Sequence, residues 1–294
     1  MTEDEFAAYQ SLSEETEDHR WAFGTGFTDP LEGIDASVPD GVDAAALATY
    51  CLMLGDDALV YSHRLQQWMT RLPELEEETA LANIALDLLG QARMLLARAG
   101  LAEGKGRQED QLAFFRDEHE FLNVRLVEAL DADFAELAGR LLIFSAWRLA
   151  LFSQLAESAD PVLAAIAAKG VKELTYHRDY AAEWVIRLGD GTPLSHAKMQ
   201  AALGAVWPLV EELFEADPVT AALPGVAADP AGVRGEVGAV LGAVFDAATL
   251  DRPGSAPMAR VAGKSGRDGV HTEAFGYLLG ELQSLARAHP GVTW

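Results

Sequence analysis

From Asp43 onward, apolar residues recur at three- and four-residue steps, the spacing that places them on one face of an α-helix. Leu47, Tyr50, Cys51, Leu54, Ala58 and Tyr61 make one such stripe and predict a helix reaching about Trp68. Pro73 opens a second helix, with Glu74, Glu76, Glu77 and Glu78 crowded at its positive end. Leu81, Ile84, Ala85, Leu88, Leu89, Ala92 and Leu95 carry it to about Ala99, where Gly100 and the polar stretch EGKGRQED close it. A third helix is expected over QLAFFRDEHEFLNVRLVEAL, and a longer one from about Phe134 to Glu157. Asp160 can cap, and Pro161 can start, another that runs to Leu188 and stops at GDGTP. HAKMQAALGAVWPLVEELFEA predicts one more, PAGVRGEVGAVLGAVFDAATL a glycine-weakened one, and the last spans about His271 to His289. No alternating strand pattern competes and no short repeat is visible, so the chain reads all-α: a helical bundle with additional C-terminal helices.

Composition narrows what such a bundle can do. A chain of 294 residues, half of them hydrophobic, can bury a large core. The N-terminus MTEDEFAAYQ is acidic where a secretory signal is basic and then apolar, and no uninterrupted run reaches about 18 apolar residues, so a cytoplasmic protein is expected. The single cysteine, Cys51, excludes an internal disulfide and a cysteine-built metal site within one chain. A net charge of −24 argues against nucleic acid or anionic membrane as partners. Residues 1–40 hold 11 acids and one base, Arg20, or −10 of that total. Residues 1–42 therefore read as an extended acidic arm that Trp21, Phe23 and Phe27 can pin to a surface, with the helical domain over 43–294.

The stretch ALDLLGQARM (85–94) sets Asp87 and Gln91 in an otherwise apolar helix. In ferritin-like di-iron bundles two helices each give a carboxylate and two others each give Glu-x-x-His, because residues three apart lie one turn apart on one face. The second helix here offers Leu88 and Gln91 at that spacing, and neither leucine nor a neutral amide is a good iron ligand. In KELTYH the position three before His177 is Leu174, while Glu173 lies four before it. A Glu/His pair at that distance can share a metal or serve as a surface contact.

The segments LGDDALVYSHRLQQW, ELEEETALANIALDLLGQARMLL, FFRDEHEFLNVRLVE, VKELTYHRDYAAEWVIRLGDGT and GKSGRDGVHTE, with a terminal HPGVTW, resemble in order the C-type component family of the phenylacetyl-CoA epoxidase complex, from about residue 43 to Trp294. The resemblance implies a ferritin-like fold and a noncatalytic structural role within that complex. It implies a catalytic A-type component that houses a di-iron centre, a B-type component, and a reductase carrying flavin and an iron-sulfur cluster supplied by NADPH. Aryl-CoA substrate would be met mainly through the catalytic partner, and this chain would carry no cofactor. Mapped onto that template, the degenerate ligand positions are Asp57 (beside Asp56), Leu88, Gln91, Ser145, Leu174 and His177. Apolar filling of an emptied site avoids burying unpaired carboxylates.

Other polar groups carry competing readings. Asp87 and Arg93 can pair across the bundle or face solvent. In DEHE, Asp117 and Glu120 share a helical face, which suits a cap or an interface better than a metal. His63 and Arg64 are expected at a contact between subunits. Lys264, Arg267 and the amides before His271 form either an anion site, such as one for a CoA phosphate, or a structured loop holding helices or a neighbouring protein. The rival functions are an independent di-metal oxidase using Asp57, Glu173, His177 and an acid of DEHE, and a homo-oligomeric structural bundle.

Overall fold

The computed structural model describes residues 31, 33–72 and 74–292. Trp21, Phe23 and Phe27 of the expected arm, Pro73 and Trp294 lie outside the described residues. Among the described residues there is no strand, only an isolated bridge between Val261 and Lys264. The helices are α1 (Ala44–Gln66), α2 (Leu75–Glu103), α3 (Glu109–Phe114), α4 (Phe134–Leu155), α5 (Pro161–Gly189), α6 (Pro193–Val206), α7 (Pro218–Ala221), α8 (Arg234–Ala247) and α9 (Glu273–Ala288).

Local chemistry starts and stops these helices. The Asp43 carboxylate accepts from Ala45 and Ala46 N–H at 2.9 and 3.2 Å, and Asp133 does the same for Ala135 and Glu136 at 3.0 and 3.3 Å. Each satisfies N–H groups that the first helical turn leaves without partners. Asp160 caps α5 through Leu163 N–H at 2.8 Å with Pro161 in the first turn, as its sequence predicts. α2 does not end at Gly100. It continues to Glu103 and is closed by Gly104 in the left-handed region, φ 67°. Gly100 serves close packing instead: a Cβ there would sit 2.1 Å from the Arg107 carbonyl.

α1 and α2 form one antiparallel hairpin and α4 and α5 another, joined by a long crossover over residues 104–133. One long connection between two hairpins is the ferritin-like arrangement. α2 meets α5 across the bundle, α6 and α8 pack on α4 and α5, and α9 packs on α1 and α3. At Gly170 of α5 an added Cβ would fall 2.6 Å from the Phe152 ring, so glycine is what lets α4 and α5 approach. α1 and α2 are long and apolar enough to cross a membrane by length and composition, but 78% of the apolar window of α1 is buried in the bundle, as in a core helix.

Two helical expectations are corrected. Residues 111–130 are not one helix: α3 ends at Phe114, and 3-10 turns follow at Glu118–Glu120 and Arg125–Val127 with extended backbone between them. The residues after α6 run through 3-10 turns at Trp207–Leu209 and Glu211–Phe214, because Pro208 has no N–H to continue the α-helix.

Candidate functional site: a polar seam in the bundle

Asp56 and Asp57 sit side by side on α1, both fully buried. Asp57 accepts from Arg267 Nη1 at 3.1 Å and Nη2 at 2.8 Å, and from Val124 N–H at 2.9 Å. Arg267 donates further to the Met53 and Leu122 carbonyls at 3.0 and 2.7 Å. Asp56 takes both Nη groups of Arg116 and the Leu122 N–H at 2.9 Å. Burial pushes the Asp56 carboxyl upward, opposed by Arg116. Both acids thus tie the crossover to α1, which explains its extended backbone: the N–H groups of Leu122 and Val124 are given to carboxylates rather than to a helix.

The facing helices carry a second network. Arg148 of α4, fully buried, donates from Nε to Gln91 Oε1 at 2.9 Å and from Nη2 to the Leu54 carbonyl at 3.2 Å, and lies over the Phe152 ring at 4.4 Å. Gln91 Nε2 donates to Glu173 Oε2 at 2.9 Å, and Lys169 donates to Glu173 Oε1 at 2.7 Å. A turn along, His177 Nε2 meets Asp87 Oδ2 at 3.0 Å. Burial pushes the Arg148 guanidinium down to about 10, still well above neutral, so it remains charged, with Asp57 the largest influence in the opposite direction. Arg148 and Arg267 therefore bracket one turn of α1, on the adjacent Leu54 and Met53 carbonyls. The buried Ser145 Oγ, Arg148 Nη1 and His177 Nδ1 have no protein partner.

All six positions singled out from the sequence, Asp57, Leu88, Gln91, Ser145, Leu174 and His177, are fully buried in the bundle. The structure joins Gln91 to Glu173 and His177 to Asp87, but commits Asp57 to Arg267. Among the described residues no three His, Cys, Asp or Glu side chains converge to hold a metal. With leucine at 88 and 174, an amide at 91 and a guanidinium on both oxygens of Asp57, this donor set does not fit a di-iron centre. Leucine is only part of the replacement: three arginines, Arg116, Arg148 and Arg267, supply positive charge inside the bundle. Sequence reasoning missed Arg148 in SAWRLALF, although an arginine inside an apolar helical run is itself a signal of a buried partner.

The remaining candidates resolve as structural contacts. Asp87 pairs with His177 rather than Arg93, which meets Glu109 at 3.5 Å. Glu120 caps its own turn through Asp117 N–H at 2.7 Å. Arg64 is buried, donating to the Glu128 and Ala274 carbonyls at 2.7 and 3.2 Å, so it is not available to a second protein. Arg267 and His271 point inward and do not converge with exposed Lys264 on an anion site. His271 has both ring nitrogens in hydrogen-bond contact, Nδ1 with Glu128 at 2.5 Å and Nε2 with the Phe121 carbonyl at 2.9 Å, an arrangement the imidazolium satisfies with one N–H to each. Burial alone would lower its pKa, but the Glu128 carboxylate, the Phe121 carbonyl and Glu118 together outweigh burial and raise it. Glu128 also accepts from Asn123 at 2.8 Å and from Thr272 N–H at 2.7 Å, fixing the start of α9 to the crossover.

Comparison with known proteins places this geometry in context. A family described as phenylacetic acid catabolic protein matches residues 35–294. Over 250 residues the chain is 45% identical to the C subunit of 1,2-phenylacetyl-CoA epoxidase of Escherichia coli (strain K12), covering 84% of this chain and 99% of that protein. With a ferritin-like bundle and a match over nearly all of its helical part, the chain belongs to the phenylacetic acid catabolic protein family.

Proposed function

We propose that the chain is a noncatalytic structural component of a phenylacetyl-CoA 1,2-epoxidase. In this reading a ferritin-like catalytic A-type component holds the di-iron centre that places one oxygen atom of O2 on the aromatic ring. A B-type component and an NADPH-dependent reductase with flavin and an iron-sulfur cluster complete the assembly. The chain itself binds no cofactor, works in the cytoplasm, and meets aryl-CoA substrate mainly through its partner. The observation that carries the reading is the pairing of Asp57 with Arg267, beside leucines at 88 and 174. An oxygen-activating centre needs carboxylates free to bridge metals, and a guanidinium that engages both oxygens of a buried aspartate removes that freedom.

Two measurements test it together. Elemental analysis of the chain purified alone is expected to find iron far below one atom per chain. About two irons with oxygen reactivity would establish the independent oxidase instead. Coexpression with a homologue of the catalytic A-type component, followed by sizing, is expected to give a stable complex. A chain that associates only with itself would leave the homo-oligomeric bundle as the answer.

A further inference from the structure

A concave site lies away from the seam, between the turns that follow α6 and the first half of α8. Its cavity measures about 290 Å³. Val210 and Phe214 from the turns and Val237 and Leu241 from α8 give it an apolar floor, and Trp207 stands at one side. The outer wall is the extended strap over residues 251–258, which is pinned along its length. Gln200 holds both the N–H and the carbonyl of Asp251, at 2.8 and 2.9 Å. Ser255 Oγ donates to the Gly204 carbonyl at 3.2 Å, and Met258 N–H donates to the Pro208 carbonyl at 2.7 Å. A wall held at three points presents a preformed cavity rather than a loose loop.

The charges of this cavity are unequal. Arg234 and Glu211 close on each other as a two-pronged pair at 2.9 and 2.7 Å, so they cancel. Arg252 instead lies over the Trp207 ring, 5.3 Å from its centroid, and has no ion-pair partner among the described residues. In a chain with 46 acids against 22 lysines and arginines, a guanidinium at the rim of a cavity that meets no carboxylate among the described residues is unusual.

The geometry points to a binding site for a small aryl carboxylate, its ring on the apolar floor of Val210, Phe214, Val237 and Leu241 beside the edge of Trp207, and its acid group on the guanidinium that Trp207 supports, Arg252. Aromatic and aliphatic side chains favour a flat ring, and a guanidinium stacked on an indole face keeps its edge N–H groups to donate two parallel hydrogen bonds to a carboxylate. The volume lies at the small end of ligand cavities, suiting one ring with a short acidic arm and excluding a whole CoA ester. The site is built without any residue of the seam, so it stands or falls separately from the assembly role.

Titration calorimetry of the full chain with benzoate and phenylacetate tests the site, with benzamide as the uncharged control. The expected result is saturable binding of one acid per chain, with benzamide weaker by about tenfold or more. Arg252→Gln, a change at an exposed side chain, should weaken benzoate by about tenfold while leaving the melting temperature in place. Trp207→Leu should weaken both acids, and if that variant fails to fold, Arg252→Gln still decides. Inorganic phosphate should compete poorly, because it fills no ring space. Absence of saturable binding, equal affinity for benzamide, an unaffected Arg252→Gln, or full competition by phosphate would each overturn the proposal.

Discussion

Asp57 and Asp87 are carboxylates on neighbouring helices of one bundle, yet they are partnered by opposite rules. Asp57 is fully buried and meets Arg267, a permanent cation, plus a backbone N–H. The Asp87 side chain is 38% exposed and meets the His177 imidazole at 3.0 Å. Desolvation costs several kcal/mol for an uncompensated ion but little for one that keeps water, so the deeper carboxylate is the one that needs a full cation beside it. The same unit-charge attraction at 4 Å is worth about 4 kcal/mol at an effective dielectric of 20 and about 1 kcal/mol in water.

Removing the deep partner should therefore have the largest effect. Arg267→Met leaves Asp57 buried and unpaired, with an expected loss of about 3–5 kcal/mol in urea unfolding. Adding Asp57→Leu to that variant should restore much of the loss. A double variant as unstable as the single one would show that the charges were not the cause. Arg148→Met keeps the aliphatic stem but strands the Gln91 carbonyl, and should cost about 1–3 kcal/mol by the same measurement.

Next comes a pH effect at the start of α9. The folded pKa of His271 lies above the ordinary value of about 6.5, so its bond to Glu128 stabilises fully below that value. The contribution is lost as pH rises through the raised folded pKa. Melting temperature should fall across that alkaline side, and His271→Gln should remove this part of the slope. The smallest effect belongs to the shallow pair: Asp87→Asn should shift stability by no more than about 1 kcal/mol, since the contact is partly exposed and solvent weakens it. A larger loss there than for Arg267→Met would reverse the depth rule.

The long helices are legible in the sequence because their apolar stripes persist over several turns and their caps are local: Asp43, Asp133 and Asp160 each act within three residues. The crossover misleads because Phe114, Phe115, Phe121 and Leu122 look like a helical stripe. What decides its shape is contact with Asp56 and Asp57, 66 and 67 residues away in sequence. Gly100 misleads for a related reason, since its role is set by the Arg107 carbonyl and not by its own turn. In the seam, the positions 88, 91, 174 and 177 are visible from their three-residue spacing. The pairing of Arg116 with Asp56 and of Arg267 with Asp57 is not, because these arginines come from segments that fold onto α1 from far along the chain.

Upstream of α1, Arg98 on α2 joins Asp160 in a fully buried ion pair and also holds the Ala36 carbonyl and, at 3.2 Å, that of Ser37. Those few residues are hence a plug in the bundle's end, although they read as part of the acidic tail. Trimming the polypeptide at residue 43 would uncork a guanidinium, so a shortened version meant to crystallise should retain everything from Gly33 onward.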